Sequence, residues 1–175
     1  MFTRIRKAIV VAMCLSAIAI AASVSALAQS RPAPFSLRAI DGEPVTSTSL
    51  RGEVVVLAFG TSWLPLSRNQ MEGVKKLADK YAERGVAAYW VSTDSESPKS
   101  KNFTSDDQLR ELARKYKVTI LRDPDGAVSK KLGVDQLPSI VILDKQGNVS
   151  GAPIGGMDPS TNLATQLAPR LDKLL

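Results

Sequence analysis

Glu53-Val-Val-Val-Leu-Ala-Phe59 runs directly into Gly60-Thr-Ser-Trp-Leu-Pro-Leu-Ser67. The first seven residues place β-branched and large apolar side chains in an unbroken run of strand length. That pattern marks a strand covered on both faces, because a strand with one wet face would alternate polar and apolar residues. The next eight residues change character. Gly60, Ser62 and Pro65 do not continue a strand, and Pro65 suits the first turn of a helix, where its missing N–H has no partner to lose. Met71, Val74, Leu77, Ala78 and Tyr81 then recur at helical spacing, with Gly85 as the stop. Buried strand, short loop and amphipathic helix make the first unit of an α/β fold.

The flanks extend the pattern. Phe35–Gly52 carries two brief β-like pieces around the turn Asp41-Gly42, and Val86–Val91 is a second buried-type strand containing Trp90, expected in the core. Ser92–Thr104 is polar, with Lys99 and Lys101, and reads as a solvated surface loop. Ser105-Asp-Asp-Gln108 is a capping box whose Asp106 and Asp107 favour the positive end of a helix. Leu109, Leu112, Ala113 and Tyr116 line one face of that helix. Val118–Leu121 reads as a short strand, Asp123-Pro-Asp-Gly126 as a turn and Ala127–Leu132 as one or two helical turns. Ser139–Leu143 and Asn148–Pro153 read as a hairpin around Asp144–Gly147, and Asp158–Leu175 closes the chain with a helix. The expected fold is α/β, a central mixed sheet flanked by helices on both faces, with an N-terminal β extension.

The 175 residues are 44% hydrophobic and 23% charged, the proportions of a globular domain. The inventory is more informative: His 0 and Cys 1. Without histidine there is no Ser-His-Asp or Cys-His catalysis and no His-ligated zinc, and with one cysteine there is no intrachain disulfide. That cysteine, Cys14, lies in an apolar run, Ala8–Ala28, preceded by Arg4, Arg6 and Lys7 and ending in Ala26-Leu27-Ala28. Basic, apolar, then small residues form a secretory signal peptide, expected to span 1–28 with cleavage after Ala28. The other reading of the run is an uncleaved membrane anchor. Residues 29–34 read as a linker and 35–175 as one domain, periplasmic or secreted. Loss of 1–28 takes the net charge from +6 to +3, with the signs interspersed, which does not fit nucleic-acid binding.

Several strings in family order now resemble the thioredoxin-like periplasmic thiol–disulfide oxidoreductases of the TlpA type, grouped with redoxins and the AhpC/TSA proteins. They are Pro34-Phe-Ser-Leu37, Leu50-Arg-Gly52, the strand ending at Phe59, Thr61-Ser-Trp63, Gly133-Val-Asp-Gln-Leu-Pro138 and Leu143-Asp-Lys-Gln-Gly147. The resemblance implies a Trp-Cys-x-x-Cys segment after the first core strand and a cis proline opposite it. Trp63 matches the family tryptophan, but Leu64 and Ser67 stand at the two cysteine positions, with Pro65 and Leu66 between them, and Gln70 stands where the family often has Glu. A leucine has no nucleophilic atom, and a serine without a neighbouring base is not activated. Arg68 matches a peroxiredoxin-type arginine without a peroxidatic thiol. No catalytic residue is therefore assigned. The resemblance places Pro138 at the cis position, where the preceding residue's backbone meets extended peptides. Trp63, Leu64, Leu66, Leu137 and Pro138 are the candidate peptide-binding residues.

Other motifs carry plainer readings. Asp123 and Asp125 lack the further acids of a calcium loop, and no metal or cofactor is implied. The sequons at Asn102 and Asn148 are at chance frequency. Three function classes follow: an exported, redox-inactive protein that binds a protein or peptide of the cell envelope; an oxidoreductase using atypical or partner-supplied thiol chemistry; and a structural paralogue without a site. Membrane association follows only if 1–28 is retained.

Overall fold

Strand β3 (Val54–Gly60) has no polar side chain, and all seven of its residues are buried. In the computed structural model, which describes residues 34–156 and 162–175, this strand lies inside a mixed seven-stranded sheet. The expected signal peptide and linker fall outside the described residues except for Pro34. The other strands are β1 (Ser36–Ala39), β2 (Pro44–Thr46), β4 (Val86–Ser92), β5 (Ile120–Arg122), β6 (Ser139–Leu143) and β7 (Ile154–Gly155). Their spatial order is β2-β1-β5-β4-β3-β6-β7. β3 pairs parallel with β4, Val54 opposite Val86, and antiparallel with β6, Val55 opposite Leu143.

The two-residue period of β3 divides the core. Val54, Val56 and Ala58 join Trp90, Ile140 and Ile142 in one cluster, while Val55, Leu57 and Phe59 join Leu37, Val91 and Val141 in the other. Helix α1 (Pro65–Tyr81) presses Met71, Val74, Leu77 and Tyr81 onto the first cluster, with Leu109 of α2 (Asp106–Tyr116) and Leu163, Leu167 and Leu171 of α4 (Leu163–Leu171) beside them. The short helix α3 (Ala127–Lys131) and Leu132 cover the second. Helices on both faces of a mixed sheet are the expected architecture. The capping box forms as expected: Gln108 N–H donates to Ser105 Oγ at 3.2 Å, and Ser105 N–H donates to Gln108 Oε1 at 2.9 Å.

Three local expectations need correction. The partner of β6 is β7 at Ile154–Gly155, and Asn148–Pro153 supplies only an isolated bridge between Val149 and Leu143. The Asp144 carboxylate accepts from the N–H groups of Gln146 and Asn148 and from the Asn148 amide, so it holds this segment as a wide turn and competes with the ladder. The last helix begins at Leu163, capped by Asn162; residues 157–161 lie outside the described residues. The third correction concerns Ser92–Thr104, which is not merely solvated. Asp94 and Thr104 are buried, and Arg122 at the end of β5 reaches into the segment.

The Arg122 guanidinium has a side-chain exposure of 1% and donates to the carbonyls of Thr104 (3.0 Å) and Asp94 (3.2 Å) and to Asp106 Oδ1 (2.7 Å), with Glu96 3.3 Å from its Nε. Arg38 of β1 reaches the same Asp106 and Glu96. Hydrogen bonds first from Arg38 and then from Arg122 hold the Asp106 carboxyl below the usual carboxylate range, against the opposing effect of its burial. Asp106 is therefore a network ion as well as a helix-end charge. Replacing Arg122 by Leu leaves two buried carbonyls without their donor and Asp106 with Arg38 as its remaining guanidinium partner, and is expected to cost about 3 kcal/mol, read from the urea midpoint. The depressed Asp106 pKa contributes stability that is present above the unfolded value of about 3.9 and is lost as the pH falls through the folded value. Asp106→Asn is expected to flatten that acid limb of the stability-against-pH curve; an unchanged limb would exclude Asp106 as its source.

Candidate functional site

The residues singled out by sequence lie where β3 ends and α1 begins. Gly60 closes the strand, Thr61–Trp63 form the connection, and Leu64 is the N-cap residue of α1, with an extended backbone (φ −74°, ψ 127°) and no side-chain cap. Pro65 occupies the first helical turn as expected. The connection is pinned from behind. Ser62 N–H donates to both oxygens of Asp94 at 3.1 and 2.9 Å, and Ser92 Oγ donates to Asp94 Oδ2 at 2.8 Å. Ser62 Oγ lies 2.9 Å from Thr104 Oγ1, and Thr93 N–H donates to the Gly60 carbonyl at 2.9 Å. A fully buried carboxylate with three hydrogen bonds from two donors is well satisfied and holds the loop in place.

Opposite this loop the Leu137–Pro138 peptide is cis, and Ser139 opens β6. Trp63 is 59% exposed, Leu66 41% and Leu137 37%, while Leu64 is half-buried. Trp63, Leu64 and Leu137 line one open groove of about 470 Å³ with Thr61, Asp135 and Gln136. Pro138 itself is buried, so Leu137 presents that edge to the groove. Leu66 does not line it. On the other flank of Trp63 a second groove of about 400 Å³ is lined by Arg68, Gln108, Glu111 and Lys115, which brings α2 alongside.

Ser67 points inward. It is completely buried, and its hydroxyl has no hydrogen-bond partner among the described residues. Trp90 is core, as expected. The two oxygens of Asp123 accept from the N–H groups of Val128 and Ser129 at 3.0 and 2.7 Å and so hold the start of α3. Among the described residues no three of His, Cys, Asp or Glu converge.

The burial of two polar residues that support the loop escapes a sequence reading. Asp94 looks like one polar residue of a polar loop, and its only signal is position, an acid just past an apolar strand. Gln70 is marked in the sequence only as standing where the family often has Glu; the structure adds that it is 1% exposed and that its side chain donates to the Ser139 carbonyl (3.1 Å) and accepts from the Trp90 indole (3.0 Å).

Comparison with known proteins agrees with this layout. The model of the AhpC/TSA family matches residues 29–152. The chain is 29% identical over 125 residues to the thioredoxin-like protein YneN of Bacillus subtilis, covering 70% of this chain and 69% of that one. It is 29% identical over 115 residues to the thiol-disulfide oxidoreductase ResA of Bacillus cereus, covering 66% and 62%. The thiol:disulfide interchange protein DsbE of Pseudomonas aeruginosa is 29% identical over 131 residues, covering 75% and 67%. The chain thus spans 62–69% of the length of these relatives. Among solved structures, dsbF of MTB superposes with a TM-score of 0.62 at 26% identity, covering 81% of this chain and 95% of that one. A thioredoxin-like protein from Aeropyrum pernix shares the fold, with a TM-score of 0.64 at 22% identity over 91% of this chain and 99% of that one. With its thioredoxin-like sheet and a match across residues 29–152, the chain belongs to the AhpC/TSA family, among proteins resembling thiol–disulfide oxidoreductases.

Proposed function

We propose that this chain is an exported, redox-inactive member of its family that holds an extended segment of another envelope protein. One observation carries the reading. Leu64 and Ser67 stand at the two positions where the resemblance places redox cysteines, and the Ser67 hydroxyl is sealed inside, while Trp63, Leu66 and Leu137 expose apolar surface around them. A thiol–disulfide exchange needs a thiolate that attacks and a sulfur that leaves. Leucine and a buried serine supply neither. What the loop retains is an open groove in which an indole and two leucines stand beside the polar side chains of Thr61, Asp135 and Gln136, a surface suited to an unfolded or extended polypeptide. Export rests on the basic–apolar–small pattern of residues 1–28 and is supported by relatives such as the secreted Mycobacterium tuberculosis disulfide oxidoreductase. The similarity to thiol–disulfide oxidoreductases favours a second reading, an oxidoreductase using atypical or partner-supplied thiol chemistry.

Insulin reduction separates the two. In dithiothreitol the purified protein is expected to leave the rate of insulin precipitation at the uncatalysed baseline, and turnover above it would favour the second reading. Binding is measured with a carboxymethylated, permanently unfolded protein as probe. A saturable change in tryptophan emission is expected, absent in Trp63→Phe and in Leu137→Asp. Leu64→Asp is expected to abolish the same signal at almost no cost in stability. The new carboxylate caps α1, worth about 1 kcal/mol, and offsets a similar loss from the half-buried leucine. Should Leu64→Asp unfold the domain, Leu64 is core and the groove is not the site.

The double variant Leu64→Cys, Ser67→Cys tests whether the scaffold of a redox turn persists. The thiol at position 64 faces the free N–H groups of a helix N-terminus and is expected to titrate below the ordinary value of about 8.5, while the thiol at 67 rises because of its burial. Thiolate absorbance against pH reads both. An unshifted thiol at 64 would show that the local field does not favour an anion.

A further inference from the structure

Three elements meet on one uncharged side chain behind the groove. Gln70 projects from α1, its Nε2 donating to the carbonyl of Ser139 on β6 at 3.1 Å and its Oε1 accepting from Trp90 Nε1 on β4 at 3.0 Å. The fourth wall is Gly60 on β3. A Cβ there would stand 2.6 Å from Ser67 Oγ and 3.1 Å from both Gln70 Oε1 and Trp90 Cζ2, so the glycine makes room for the contact. Ser139 directly follows Pro138, lies opposite Phe59 and Gly155 in the sheet, and donates its own hydroxyl to the Ile154 carbonyl at 3.2 Å. The Gln70 amide is thus the side-chain link from the helix beneath Trp63 and Leu64 to the strand that carries Leu137.

We propose that Gln70 is a positioning residue for the Leu137–Pro138 edge and that its pocket accepts only a neutral group able to donate and accept at once. The indole Nε1–H is a donor and nothing else; a backbone carbonyl is an acceptor and nothing else. The group between them must therefore offer an oxygen to one and an N–H or O–H to the other. An amide does both. An ionised carboxylate would satisfy Trp90 and turn an oxygen toward the Ser139 carbonyl, and an apolar side chain would leave both buried partners unpaired. Among the described residues no compensating cation faces the position. Gly60, Trp90 and Ser139, which surround it from β3, β4 and β6, are uncharged, and so is Ser67 on its own helix. Arg68 is exposed, and the buried carboxylate of Asp94 is engaged by Ser62 and Ser92. The role goes beyond the binding function proposed above, and only its purpose rests on that reading.

The decisive variant is Gln70→Glu. Below the ordinary glutamic acid pKa of about 4.3 the new side chain is a neutral carboxylic acid, which can donate to Ser139 while accepting from Trp90, and the variant is expected to match the wild type. Burial and the facing carbonyl keep it protonated in the folded state above that pH, while the unfolded chain ionises. Stability is therefore lost progressively as the pH rises, and the loss levels off above the folded-state pKa. The expected result is a difference in Tm between variant and wild type that is near zero at pH 4 and widens toward pH 8. In Gln70→Leu the deficit should be the same at every pH. The backbone amide resonances of Leu137, Ser139 and Gly155 report the edge directly. In Gln70→Glu they are expected to move away from wild-type positions at pH 8 and to return at pH 4, together with the Trp90 indole resonance, which is distinguished from that of Trp63 by Trp63→Phe. A Tm difference independent of pH would overturn the neutral-group requirement. A pH-dependent Tm with unmoved Leu137 and Gly155 resonances would leave Gln70 a core residue and overturn its positioning role. If Gln70→Leu does not fold, Gln70→Glu at the two pH values still decides both points. None of these readouts uses a partner, so a failure of polypeptide binding would be a separate result.

Discussion

Burial of β3 on both faces is the constraint from which the rest of the molecule follows. A strand with seven buried residues and no polar side chain has no face to give to water, so it needs a neighbour along each edge and a layer above and below. β4 and β6 supply the edges, and α1, α2 and α4 supply one layer. α3 and Leu132 lie on the other face, where Leu37 of β1 joins the same cluster from within the sheet. Each large residue of β3 removes apolar area worth about 1.5–3 kcal/mol from water. The hydrophobic term is therefore concentrated where the sheet is widest covered.

The same arrangement creates the site. A strand buried along its full length delivers the chain to the sheet's rim at Gly60, where the next residues leave the sheet and α1 starts. The rim is ordered by polar groups that face inward: Asp94 beneath the Ser62 amide, Thr104 beside its hydroxyl, Gln70 beneath the Pro138 strand. The outer side of the rim carries the exposed apolar residues. Polar beneath and apolar above inverts the usual distribution, and such a surface is stable only because every polar group beneath it except the Thr61 and Ser67 hydroxyls has found a partner. In this setting the groove stands beside Leu64 and Ser67, the two positions where the resemblance places cysteines.

Much of this was legible in the residues. The continuous run Val54–Phe59, the capping box at Ser105, the helical spacing from Met71 to Tyr81 and the Asp41-Gly42 turn each owe their form to near neighbours in the chain. Local pattern specifies such elements because the competing conformations are also local. The reading was weaker at Asn148–Pro153, where β-forming residues were diverted by the Asp144 carboxylate, and at Ser92–Thr104, where a polar composition concealed a buried acid and the reach of an arginine from another strand. Polar residues read as solvated by default, since burial of a polar group depends on partners supplied from elsewhere.

The sequence by itself determined the fold class, most of the order of elements and the absence of histidine and of a cysteine at positions 64 and 67, and with them which side chains stand at the loop. Those are properties of composition and of short-range pattern, which survive without coordinates. Only the tertiary structure decided which side of the loop faces water: that Trp63 and Leu137 share a groove, that Pro138 and Ser67 are buried, and that Gln70 joins α1, β4 and β6. Each of these joins residues far apart in the chain, and a contact between distant segments exists only once the core has closed and brought them together.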